Sequence, residues 1–325
     1  MADEIITDMQ GLLTVSDTEG QASTSSDGAS LTKEDKKSVL GANAKETEGN
    51  HLLHISIELS LITSTEPLFE LAIARGKGFG LFATRNIPRG TRIIKEVPLL
   101  VVPPSEGAEL NLSDFQTALR TLDQEQQSKF FDLHRDHKVT SQAKQLLSQQ
   151  SKAFKASQNQ DFTDAVAIFL ANCVQMGGGE YGSGVFQHYS RINHSCIPNV
   201  HNAYNPSLDR LTVHAVRQTN KGEEILTSYI DGYCRTHEQR QQSLNEWGFF
   251  KCSCRCCTGS RAAVSGKRRA RMFEIDQDLA FYAAGLPPML KPSVPRNPQA
   301  ALKLSEELLD LCRSEAITDY NLTQW

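Results

Sequence analysis

The first 172 residues contain no cysteine, so no Cys/His cluster stands there to form a metal finger. No apolar run approaches the about 18 residues that a membrane-spanning helix needs, and no membrane association is expected. Residues 1–50 hold no aromatic residue and are rich in Ser, Thr, Gly, Asp, Glu and Lys, a composition that cannot offset the entropy of ordering. They are read as a disordered tail. Neither sign of charge dominates: the formal net charge is -4, which excludes a global basic field and with it direct nucleic-acid binding through bulk electrostatics. The opening Met1-Ala2-Asp3-Glu4 has no basic region followed by an apolar one, which argues against a secretory signal. There is no Gly-x-Ser-x-Gly elbow to make a hydrolase of the Ser195 and His194 neighbours. No period of about 20 to 50 residues repeats.

What remains is enough for one substantial core with appendages: 325 residues, 39% hydrophobic. Leu53, Ile55, Ile57, Leu59 and Leu61 alternate as a strand with one buried face. Strand-like segments follow at Leu71–Ala74, Leu81–Thr84, Ile93–Glu96 and Leu99–Val102, punctuated by Gly and Pro. Helix then prevails between about 113 and 175, most clearly where Phe162, Val166, Phe169, Leu170 and Cys173 share one face. Strands return at Val200–Tyr204, Leu211–Val216 and Glu224–Tyr229. Thr236 with Gln239 is a capping box for a short helix ending near Glu246, and Asn297-Pro298 opens a helix to about 313. The class is α+β, mainly β.

Four segments carry chemistry-bearing residues. Arg75-Gly76-Lys77-Gly78-Phe79-Gly80 places three glycines before an apolar strand; it lacks the spacing of a dinucleotide loop, and taken alone it reads as a tight turn. Asn193-His194-Ser195-Cys196-Ile197-Pro198-Asn199 is a dense polar run whose groups need partners, either within the fold or in a ligand. The bland reading makes Asn193 and His194 satisfied core polar groups and Cys196 a small buried hydrophobe. Gly222-Glu223-Glu224 leads through a strand to Tyr229, which by itself is no more than a ring that packs and a hydroxyl that is wet. Cys252-Ser253-Cys254-Arg255-Cys256-Cys257 crowds four thiols, in a pattern that can wrap a tetrahedral zinc from Cys252, Cys254 and Cys257; Cys196 is the candidate fourth ligand. A cluster of this kind, rather than cysteines spread through a small secreted domain, points to a reducing compartment. Lys267-Arg268-Arg269-Ala270-Arg271 reads as a solvated helix face in preference to a nuclear signal or a substrate-docking patch.

In this order the four segments resemble the SET-domain protein lysine methyltransferases, in particular the branch that pairs SET with a MYND finger, although no such finger is evident here. The resemblance spans about residues 68 to 257. It implies a SET fold of small curved sheets with a knot-like threading. Its expected division is a tail over 1–50, a leading strand over 51–67, a SET domain over 68–231 with a helical insert at 105–185, a zinc-binding post-SET segment over 232–260 and a helical C-terminal region over 261–325. It further implies that Lys77, Gly78, Phe79, Asn193, His194, Tyr229, Phe249 and Phe250 hold S-adenosylmethionine or line the lysine channel. Tyr229 would be catalytic, and Cys196, Cys252, Cys254 and Cys257 would ligate zinc, with Cys256 an extra thiol.

The second channel tyrosine of several relatives aligns with Gly248, next to Trp247, which leaves the number of methyl groups transferred open. The partner implied is a protein or peptide presenting a lysine, a histone among the candidates. A monomer in the nucleus, the cytoplasm or both is expected. The alternative is a noncatalytic SET-fold scaffold or reader stabilised by zinc.

Overall fold

The computed structural model describes residues 66–105, 110–135, 137–150, 160–230, 234–246, 250–286 and 290–317. The tail over 1–50, the strand read from Leu53 to Leu61, and Trp247, Gly248 and Phe249 lie outside the described residues.

Among the described residues the first element is a hairpin, β1 (Phe69–Ala74) paired antiparallel with β2 (Gly78–Ala83). Its turn holds Gly76 and Gly78 at φ 75° and 80°, a region that L side chains avoid, so the glycines are required by the turn. Next, β3 (Arg92–Glu96) joins β8 (Val200–Asn205) and β9 (Arg210–Ala215) in a sheet ordered β3-β9-β8. A second three-stranded sheet is ordered β4-β6-β5, from β4 (Leu100–Val102), β5 (Val174–Gln175) and β6 (Ser183–Val185). The last pair, β7 (Asn193–His194) and β10 (Leu226–Thr227), is parallel.

Between β4 and β5 the described residues form four helices: α1 (Leu112–Arg120), α2 (Gln124–Phe131), α3 (His137–Ser148) and α4 (Gln160–Asn172). Asn111 caps α1 and Asp123 closes a capping box on α2 with Gln126, satisfying amides that a helix start leaves open. These helices bury their own core, in which Phe115 packs against Phe162 and Phe169. The α-helical part ends at Asn172; β5 and β6, within the expected insert, join β4 in its sheet, with a short 3-10 turn at Gly177–Gly179 between them. A separate core, with Leu81, Ile87, Phe186, Ile192, Leu211, Val213 and Ile225, underlies the strands.

After β10 come α5 (His237–Glu246), with the Thr236–Gln239 capping box as read from the sequence, then α6 (Ala262–Ala283) and α7 (Pro298–Ser314). The sequence reading found α7 and placed residues 267–271 on a helix, but did not give the bounds of α6, a helix of 22 residues. With it, helices hold more of the described residues than strands, so the α+β class stands while its expected weight on β does not. The solvated face expected of residues 267–271 is also corrected in part: Lys267 is exposed, but not the whole stretch. Arg269 is fully buried and Arg271 pairs with Glu307, because α6 packs against α7 through this stretch.

Candidate functional site

Glu224 is the hub of the first half of the site. Its carboxylate accepts from Lys77 Nζ at 2.7 Å and from Asn193 Nδ2 at 2.9 Å, and Asn193 Nδ2 also donates to the Phe79 carbonyl at 3.0 Å. Three of the four sequence motifs are thus tied side chain to backbone at one point. Gly80 is part of the knot of contacts: a Cβ there would stand 2.8 Å from Asn193 Nδ2 and 3.0 Å from Glu224 Oε1. Phe79, next to it, is exposed.

Asn199 joins the same segments from inside. Fully buried, it donates to the Glu224 carbonyl at 2.9 Å and accepts from the Leu226 amide at 2.7 Å. The strand expected over Glu224–Tyr229 is therefore short, only Leu226–Thr227, since side chains take the backbone groups that a neighbouring strand would have bonded. The Tyr229 amide is one of these: it donates to His194 Nδ1 at 3.0 Å. An amide can only donate, so Nδ1 is the acceptor and the neutral ring carries its hydrogen on Nε2, 3.4 Å from Cys196 Sγ. Burial, the largest cause, lowers the His194 pKa to about 4, which keeps that ring neutral. Both ring nitrogens are thus engaged within the chain.

Tyr229 donates its hydroxyl to the Ile192 carbonyl at 2.6 Å. Burial of that hydroxyl, then the charge of nearby Tyr189, holds its pKa above the usual tyrosine range. Tyr189 itself donates to Asn202 Oδ1 at 2.9 Å, and burial pushes it up to about 12. The rings of Tyr229 and Phe250 lie 5.4 and 6.1 Å from that of His194, centroid to centroid, so the Cys-rich segment reaches the tyrosine through the histidine. The sequence reading did not single out Tyr189 or Glu224. An acid following another acid, and a tyrosine four residues before Asn193, carried no spacing signal of their own.

Five sulfurs gather behind His194. Cys196 Sγ lies 3.8 Å from Cys252 Sγ and 3.7 Å from Cys257 Sγ, and Cys254 Sγ lies 3.4 Å from Cys256 Sγ. Four zinc–sulfur bonds of about 2.3 Å in a tetrahedron place neighbouring sulfurs about 3.8 Å apart, so these cysteines fit a zinc ion. The ligand atoms of Cys196, Cys254, Cys256 and Cys257 fall within 4.8 Å of one another, as do those of His194, Cys196 and Cys252. Cys256, set aside as an extra thiol, is thus inside the cluster. Gln241 fixes the backbone of Cys252 by donating to its carbonyl and accepting from its amide, at 3.1 and 3.0 Å.

The SET domain family model matches residues 78–230 of this chain, from the glycine turn to just past Tyr229. Over that stretch the chain is similar to SET domains. It is 32% identical over 216 residues to the histone-lysine N-methyltransferase set5 of Schizosaccharomyces pombe, an alignment covering 66% of this chain and 58% of that protein. The SET domain-containing protein L678 of Acanthamoeba polyphaga mimivirus is 26% identical over 57% of this chain and 75% of its own length. Chicken N-lysine methyltransferase SMYD2 is 44% identical over 77 residues, 24% of this chain and 17% of that protein. The chain therefore spans little more than half of set5 and a small part of SMYD2. No helix among the described residues is long and apolar enough to cross a membrane.

Proposed function

We propose that this chain is a protein lysine N-methyltransferase that takes its methyl group from S-adenosylmethionine and acts on a lysine of a histone or another protein in the nucleus, the cytoplasm or both. The observation that carries the reading is one continuous set of contacts. It runs from the glycine turn through Asn193 and Glu224, across the β7–β10 pair, to the histidine that holds Tyr229.

S-adenosylmethionine supplies an activated methyl group, which leaves the protein with a problem of alignment and of presenting a neutral amine. Lysine titrates near a pKa of about 10.4, so neutralising it at pH 7 costs about 4 to 5 kcal/mol. A channel walled by Tyr229 and Phe250, with Tyr189 nearby and Phe249 a further candidate, lowers that cost by desolvating the ammonium form. The Tyr229 hydroxyl, aimed by its bond to the Ile192 carbonyl and by the His194 grip on its amide, orients the amine. The backbone of Lys77, Gly78 and Phe79 and the Asn193 side chain hold the methyl donor; His194, its ring already committed, contributes through its backbone. Zinc on Cys196, Cys252, Cys254 and Cys257, with Cys256 in reach, fastens the Phe250 segment over the channel and takes no part in the chemistry.

The test is isothermal titration of the protein with S-adenosylmethionine and with its demethylated product, beside Asn193→Ala. Saturable binding that the variant loses is expected. A folded, zinc-loaded protein that binds neither compound would instead be the noncatalytic scaffold.

A further inference from the structure

Arg240, on the first turns of α5, is 1% exposed. Its Nη1 donates to the Arg235 carbonyl at 2.5 Å, and its Nη2 points at Cys257 Sγ and Cys256 Sγ, 3.8 and 3.9 Å away; Nε has no partner. No carboxylate among the described residues pairs with it. Arginine stays protonated at any pH a protein meets, and a buried charge persists only with an opposite charge beside it. Among the described residues, the groups in contact with this guanidinium that can carry negative charge are the cysteine sulfurs.

That fact counts charges. A divalent ion with two thiolates is neutral and with three carries one negative charge; with four it carries two. A buried guanidinium against the cluster therefore requires at least three thiolates on the ion. The other buried arginine near the cluster, Arg269, donates to the Cys196 carbonyl at 3.0 Å but already has the Glu315 carboxylate at 3.3 Å. Among the described residues, Arg240 is the buried arginine beside the sulfurs that has no carboxylate partner. His194 Nε2 also faces Cys196 Sγ, so a neutral and a cationic N–H donor approach the sulfurs of one centre.

We infer that Arg240 is the counter-ion of an anionic metal–thiolate centre, a positioning residue that holds the excess thiolate charge in place and slows release of the metal. The inference rests on the zinc reading given above. Donors to metal ligands are commonly worth about 10- to 100-fold in metal affinity. Here the charge, rather than the shape, of the side chain carries the effect.

Zinc content of the full-length protein by elemental analysis comes first, followed by the rate of zinc transfer to a chromogenic chelator for the natural protein, Arg240→Met and Arg240→Lys. The expected result is a stoichiometric ion in the natural protein, release about tenfold or more faster from Arg240→Met, and most of the retention restored in Arg240→Lys. Should Arg240→Met not fold, Arg240→Gln replaces it in the comparison with the lysine variant. A natural protein without zinc overturns the metal reading and this inference together. Stoichiometric zinc with equal release from all forms, or lysine releasing as fast as the neutral variant, overturns the counter-ion role and leaves the metal reading intact.

Discussion

Gly80 shows how little freedom a single position in this site has. A methyl group there meets Asn193 Nδ2 at 2.8 Å, Glu224 Oε1 at 3.0 Å and the Ala74 Cβ at 3.1 Å, so two bonded polar groups would have to part to admit it. Gly80→Ala is expected to cost about 1 to 3 kcal/mol of stability, as overpacking does, read from urea unfolding. It should also weaken S-adenosylmethionine binding, because Asn193 is the group displaced. Unchanged stability would mean that the turn is looser than these distances state. Tyr229→Phe tests the other end. It removes the hydroxyl bonded to Ile192 and leaves the amide bonded to His194, so methyl transfer should fall by about a hundredfold while cofactor affinity holds. Equal loss of both quantities would reassign the tyrosine to binding.

At the scale of elements, what could be read from the sequence followed from how each element is stabilised. The hairpin β1–β2 and helix α7 were legible because glycine spacing, an Asn cap with Pro behind it and an apolar stripe are local signals. The bounds of helix α6 were not. Its first half turns Ser265 and Arg269 inward, and its apolar stripe, Met272, Ile275 and Leu279, is confined to the second half, so the first half carries no local signal and only a tertiary partner explains it. The segment at Glu224–Tyr229 reads as a full strand by alternation yet forms two residues of ladder, since Asn199 and His194 intervene from elsewhere in the chain. Among the site residues, the cysteines and the motif residues were visible as types and spacings. Glu224 and Tyr189 act through partners more than ten residues away, Lys77 and Asn193 for one and Asn202 for the other. Within the Cys-rich element, Cys254→Ser should remove the zinc and lower the melting temperature. Metal analysis decides it, and a full equivalent of zinc in the variant would transfer the ligand role to Cys256, 3.4 Å away.

Across the whole molecule, the C-terminal helices bear on the site through one buried network. Ser265 donates to the Glu315 carboxylate, which pairs with Arg269 and, at its exposed edge, with Arg268. Arg269 passes the connection on to the carbonyl of Cys196. The helices that follow residue 230 are thus joined to the backbone of a candidate zinc ligand by a guanidinium with no exposed surface. Breaking such a pair by removing one partner leaves a buried charge uncompensated, so Glu315→Ala is expected to cost about 3 to 5 kcal/mol in urea unfolding. Arg269 would then lose the carboxylate that aims it, and the connection to Cys196 should loosen with it. Zinc release from Glu315→Ala should accordingly quicken, and adding Arg269→Met should cost less than the sum of the two single changes, as residues in one network do. Additive costs would separate the C-terminal helices from the metal site, making them a neighbouring layer that stabilises the chain without steadying its chemistry.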